Sequence, residues 1–161
     1  MNKLVTRNEW AAYMACGATP TFELIGEGFT SFAESKNPKE YSRQYVHERT
    51  ERADVVGYAP SIAYSADVYS ENPVILEVMA VTDGELVGSD AQREVVSVNL
   101  WQSVGEGGTV FKAYKRAYAI IPDGKGDGTE ALIYTGTLKA VGDAVAGTFD
   151  TGSKTFTAAG A

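Results

Sequence analysis

Apolar and polar positions alternate with a period of two along most of this chain. From Tyr58 onward, Tyr58, Pro60, Ile62, Tyr64, Ala66 and Val68 alternate with Ala59, Ser61, Ala63, Ser65 and Asp67. One face is large and apolar and the other small, which predicts a half-buried strand. Pro60 donates no ladder bond, so it belongs near the strand start or on an edge. Residues 21–34 repeat the pattern with Phe22 and Leu24, then Thr30 and Phe32, interrupted by a turn or bulge at Gly26-Glu27-Gly28. Residues 93–101 set Val96, Val98 and Leu100 against Val95, Ser97 and Asn99. Residues 110–121 place Phe111, Ala113, Ala117, Ala119 and Ile121 on one face, with Lys112, Tyr114, Arg116 and Tyr118 on the other. Residues 132–141 run through Gly142-Asp143 into residues 144–149, which predicts a hairpin with a two-residue turn.

The period changes once. Asn72 and Pro73 predict a helix over 72–83, with asparagine as cap and proline at the first helical position, where no N–H is needed. Ile75, Leu76 and Met79 form its apolar stripe, Val78 lies beside it, and Gly84 after Asp83 supplies a left-handed end. Residues 1–20 are ambiguous. Trp10 and Met14 lie four apart among Ala11, Ala12 and Ala15, which permits a short helix capped by Asn8 and ended by Gly17 and Pro20. Many strands and one helix predict a mainly β single domain over 1–161, a β-sandwich or barrel.

Residues 36–56 fit neither period. As a strand, Tyr41, Arg43, Tyr45, His47 and Arg49 share a face; as a helix, Tyr41, Tyr45 and Arg49 share a stripe. Neither surface is apolar enough for a core. Tyrosine and arginine with little aliphatic content is the composition of protein–protein interfaces. Lys39, Tyr41, Arg43, Tyr45, His47, Arg49 and Arg52 are therefore the candidate interface residues of a projecting arm, set against a plain solvated hairpin.

Charge and chemistry narrow the function. Net charge is −7, and outside residues 36–52 nine basic side chains stand against 18 acidic ones. Such a surface argues against gripping nucleic acid by its phosphates. A single cysteine, Cys16, forms no internal disulfide, and the N-terminus has no apolar segment of the secretory kind, so expression in a reducing cytoplasm is expected. No apolar run approaches a membrane span. Residues 123–128, DGKGDG, resemble part of a calcium loop, but Lys125 stands where a third carboxylate is needed, so a glycine-rich connection is expected and no metal. His47 near Glu48 and Glu51 lacks a nucleophile and an orienting group. No catalytic residue and no cofactor are expected, and the chain is read as a non-enzyme.

The run SKNPKEYSRQYVHERTERADVVGYAPSIAYSADVY, then NPV, TDGELVGSDA, REVVSVNLW, KRAYAIIPDGKGD and YTGTLKAVGDAVAGTF, resembles the major tail tube protein of long-tailed, siphovirus-type bacteriophages. It is most similar to the branch in phages and prophages of Gram-positive bacteria. The resemblance covers roughly residues 22–150. It implies a tail-tube β fold whose copies form hexameric rings, stacked into a hollow virion tail assembled in the host cytoplasm, and for residues 1–20 it implies, as the alternative to a short helix, an N-terminal arm that docks on a neighbouring subunit. Its implied partners are further copies of the chain and the tape measure, tail terminator and distal tail proteins. Genomic DNA would pass through the lumen without specific binding, and no membrane is involved. A β-sandwich carbohydrate-binding module using Tyr114 and Tyr118 is the competing reading, and a hydrolase the least favoured.

Overall fold

The structure, a computed structural model of the chain, describes residues 2–126 and 128–160. The alternating segments form eleven strands: β1 (Trp10–Cys16), β2 (Thr21–Ile25), β3 (Phe29–Ser35), β4 (Pro38–Arg43), β5 (Arg52–Tyr58), β6 (Ser61–Asp67), β7 (Gln92–Ser103), β8 (Val110–Lys125), β9 (Ile133–Ala140), β10 (Val145–Asp150) and β11 (Thr155–Ala158). One helix, α1 (Pro73–Gly84), joins β6 to β7. The strands of the main sheet run β2-β1-β7-β8-β9-β6-β3, every pair antiparallel, and β10 and β11 branch from β8. The mainly β architecture expected of the chain is present, as a curled sheet with one helix.

Both faces of the sheet are buried around β1. Ala12, Met14 and Cys16 join Ile62, Tyr64, Val95, Tyr118, Ile120, Tyr134 and Leu138 in one core, which α1 covers with Val74, Val78 and Val81. Tyr13, Val96, Val98, Ala113 and Phe149 form a second core on the other face. The rings of Tyr13 and Phe149 lie 4.5 Å apart, and Phe22 meets Phe149 edge-on at 5.9 Å. The short N-terminal helix permitted by Trp10 and Met14 is thus overturned. A strand buried on both faces loses its alternation and reads as a continuous apolar run. Among the described residues, 2–9 precede the sheet, and Arg7–Glu9 within them form a single tight turn.

The helix forms where Asn72 and Pro73 place it. Asn72 Oδ1 accepts hydrogen bonds from the N–H groups of Val74 (3.0 Å) and Ile75 (3.3 Å). Its buried stripe is Val74, Ile75, Val78 and Val81, while Leu76 is exposed. The left-handed residue after the helix is Glu85 (φ 50°), one position later than the glycine expected there. Ion pairs pin the helix to the sheet: Glu77 to Arg93 at 2.7 Å and Asp83 to Lys125 at 2.7 Å.

Gly142-Asp143 does not make a hairpin. β9 pairs with Tyr118–Lys125 of β8 and β10 with Val110–Lys115, so the two lie end to end along one edge of β8. Beyond them β9 takes β6 and β10 takes β11, and the sheet forks at residues 141–144. Gly147 lets β11 approach, because a Cβ there would lie 2.7 Å from the Phe156 ring. The strand β11, in the terminal stretch without a sequence signal, exists because β10 offers it an edge. Among the described residues no helix is long and apolar enough to cross a membrane.

Candidate assembly interface

Residues 36–56 become a hairpin arm. Strands β4 and β5 pair only with each other, apart from the main sheet, and none of their residues is in either core. A lone two-stranded ribbon is marginally stable in water, so its side chains must support it locally. They do so through one aromatic and cationic face. Register partners Arg43 and Arg52, Tyr41 and Asp54, and Lys39 and Gly57 set that face.

Arg43 is the centre of the cluster. Its guanidinium lies 4.9 Å from the Tyr41 ring centroid and 5.6 Å from that of Tyr45. Its Nε donates to the Tyr45 hydroxyl at 3.0 Å, and a terminal nitrogen pairs with Asp54 at 2.6 Å. The hydrogen bond to Tyr45, and then that to Asp54, hold its pKa above the ordinary arginine value. Arg52 also lies over the Tyr45 ring, at 5.3 Å from its centroid, and pairs with Glu48 at 2.9 Å. The His47 ring stacks near Tyr45 with centroids 6.4 Å apart, and the Glu48 N–H donates to the Tyr45 carbonyl to close the tip.

Five of the seven candidate residues, Tyr41, Arg43, Tyr45, His47 and Arg52, therefore meet in one cluster. Lys39 lies on the same face nearer the base, and Arg49 stands exposed in the tip without an ion pair among the described residues. Cation–π stacking of this kind stabilises by about 0.5–1 kcal/mol per exposed contact, and it helps hold the arm in a defined shape.

The opposite face went unread in the sequence. Pro38 faces Tyr58, Ser42 faces Ala53 and Glu40 faces Val55, with an irregularity that adds Val56. Val55, Val56 and Tyr58 are each more than half exposed: 54%, 65% and 61%. Tyr58, assigned by alternation to the buried face of β6, instead ends β5 in solvent. The signal was available in the apolar pair Val55-Val56 beside Ala53. The arm thus presents an apolar face and a tyrosine–arginine face together.

Other candidate chemistry is dispersed. Tyr118 is 5% exposed inside the core, so it offers no stacking platform with Tyr114. The expected apolar face of β8 holds at its start, where Ala113 is buried in the second core and Phe111 packs against it, but not further on: Tyr118 and Ile120 are buried in the first core and Ile121 is exposed. Of the loop read against a calcium site, Asp127 lies outside the described residues, and Lys125 is paired with Asp83. Among the described residues no three His, Cys, Asp or Glu side chains cluster as metal ligands. Burial, followed by the nearby carboxylates of Glu77 and Glu23, pushes the Cys16 thiol up to about 12 and keeps it protonated.

The sequence matches no protein-family model and no curated protein. Solved structures do match the fold. A chain from the tail of an empty GTA particle, reconstructed with C6 symmetry, superimposes with a TM-score of 0.57 at 14% identity, over 96% of this chain and 100% of its own. A chain from the baseplate of the anti-feeding prophage, 6-fold symmetrised, gives 0.52 at 11% identity, over 94% and 99%. At such identities the likeness is one of fold, and it extends over nearly the whole length of each partner.

Proposed function

We propose that this chain is a structural subunit of a phage-type tail tube, of the kind made by long-tailed phages and prophages of Gram-positive hosts. Six copies close into a ring, and rings stack into a hollow virion tail, assembled in the host cytoplasm, through which genomic DNA leaves. The observation that carries the reading is the β4–β5 arm, which stands outside the main sheet with two exposed faces. A full-length fold likeness to chains of six-fold symmetric tail particles supports it.

A ring of identical single-domain subunits has heterologous interfaces, so each copy needs two different complementary patches. The arm supplies one. Lys39, Tyr41, Arg43, Tyr45, His47, Arg49 and Arg52 make it basic and aromatic, whereas the rest of the chain is strongly acidic. Attraction between the two favours association with a neighbour and fixes its register. Ends of such a tube would meet the tape measure, terminator and distal tail proteins.

Electron microscopy of the purified chain tests the reading. Rings or tubes with six-fold symmetry are expected at high protein concentration. A monodisperse monomer up to about millimolar concentration, an affinity range in which even weak association appears, overturns it.

A further inference from the structure

The fork in the sheet leaves an opening. At residues 141–144 the two halves of the β8 edge part, and a cavity of about 260 Å³ opens beside Ala144 between β1, β3, β6, β7 and β8. Trp10, Phe32, Ile62 and Tyr118 supply apolar walls. Two cations reach it, Lys36 and Arg116. Lys36 is balanced by its ion pair with Glu34. Arg116 has no ion pair among the described residues, and its Nε is buried without an acceptor. A buried donor without a partner has given up its hydrogen bond to water for nothing in return, so the mouth is incomplete in the single chain.

The matching group lies at the far end of the same strands. The β7–β8 connection, residues 104–109, is a glycine-rich tip with Val104 at 44% exposure and Glu106 exposed and without an ion pair among the described residues. The Val104 N–H donates to the Val110 carbonyl and fixes the base of the tip. Gly105 and Gly108 take positive φ with nothing within 4 Å of a Cβ position, so the tip stands in open space. Arg116 lies five positions beyond Phe111 on β8, a span of about 17 Å at strand spacing, so the tip and the mouth of one chain do not meet.

We infer that the mouth at the fork receives the 104–108 tip of a second copy of this chain, Val104 entering between the apolar walls and Glu106 pairing with Arg116. The contact is head-to-tail, joining two different patches, as a closed ring or a stack of rings requires. It rests on the proposed self-assembly but is independent of the β4–β5 arm. Charge complementarity selects the occupant: the mouth holds one unbalanced cation, and the tip one unpaired carboxylate beside an exposed apolar side chain.

The experiment is a charge swap read by light scattering and sedimentation velocity in low salt, with circular dichroism to establish folding. Glu106→Lys, a change in open space, and Arg116→Glu are each expected to raise the concentration for assembly about tenfold, and the double variant to return it to within about threefold of the wild type, as charge-pair coupling across an interface predicts. Glu106→Lys assembling at the wild-type concentration overturns the contact alone. So does a folded double variant no better than the folded Arg116→Glu chain; if Arg116→Glu fails to fold, Arg116→Gln takes its place, and a loss on Glu106→Lys that shrinks in the Gln background supports the pairing, whereas one that persists unchanged overturns it. A wild-type chain that never assembles overturns the contact together with the assembly beneath it.

Discussion

Tyr64 lies across Gly136 with its hydroxyl filling the space a side chain would need. The two residues are register partners in β6 and β9, and a Cβ on Gly136 would fall 2.5 Å from the Tyr64 hydroxyl and 2.7 Å from the Ile121 carbonyl oxygen. The second contact is to backbone, so the neighbouring strand must move. Burial of the phenol, its largest influence, also pushes the Tyr64 pKa up to about 12. Gly136→Ala is expected to destabilise the chain by about 1–3 kcal/mol, the usual cost of overpacking a core. Urea unfolding at a concentration below assembly measures it, and an unchanged midpoint contradicts the close approach.

The cap at Asn72 makes a second, smaller prediction. Its side chain satisfies two otherwise free N–H groups, those of Val74 and Ile75, and its amide donates to the Glu27 carbonyl at 3.3 Å. Asn72→Ala is expected to cost about 1 kcal/mol, and Asn72→Asp about half as much or less, since aspartate caps equally well but loses the donor to Glu27. Thermal melts of the three chains should rank them in that order.

These two sites differ in how far the sequence reveals them. Asn72-Pro73 is a local signal, with cap and first helical residue adjacent, and the structure reproduces it within one residue. Tyr64 was legible as core because β6 is buried on one face and keeps its alternation. Met14 was not, because β1 is buried on both faces and its seven residues WAAYMAC carry no period. Nor was the fate of Gly142-Asp143, since the same dipeptide serves a hairpin or a break between collinear strands, and only the long β8 edge decides. In the arm, the tyrosine–arginine composition was readable, but the clustering around Arg43 and the apolar face at Val55 and Tyr58 depend on the β4–β5 register.

Asp83 gives the fold a response to acid. Its hydrogen bond to Lys125, and then that to the Tyr134 hydroxyl, lower its pKa below the usual aspartate value. A folded pKa below the unfolded one contributes stability that is present above the unfolded value, about 3.9, and lost as pH falls through the folded one. Lys125 has the opposite sign: its pKa is raised by the same contact, so its contribution is lost only as pH rises through that raised value. Asp83→Asn is therefore expected to melt below the wild type at pH 6 and to converge with it near pH 2, about the bottom of that carboxylate window. Melting temperatures that stay equally far apart across that range would show that the pair does not act through charge.

Removing Tyr41, Tyr45 and Arg49 together, as alanines, separates arm from fold. None of the three is in either core, and all are exposed. The triple variant is expected to keep its cooperative thermal transition within about 0.5 kcal/mol, as surface changes do, while the concentration for assembly rises at least about tenfold, the loss expected when aromatic and arginine anchors leave an interface. Loss of the thermal transition would instead make the arm part of the fold.

The last prediction concerns the inner wall of the proposed tube, which is expected to be net negative and not to retain DNA. Outside residues 36–52, nine basic side chains face 18 acidic ones, so a wall drawn mainly from those residues carries excess carboxylate. Several of the cations there are already paired, Arg93 with Glu77, Lys125 with Asp83 and Lys154 with Glu23, which leaves fewer to meet phosphate. Repulsion from such a wall acts over about 8 Å at physiological salt, enough to centre a duplex in a narrow bore and not far beyond. A protein that holds DNA by its phosphates releases counterions, and its affinity then falls steeply with salt. The free chain is accordingly expected to show no salt-sensitive binding of duplex DNA at about 0.15 M salt. Tight binding that weakens with added salt, or an assembled tube whose lumen is lined mostly by lysine and arginine, would refute the acidic wall.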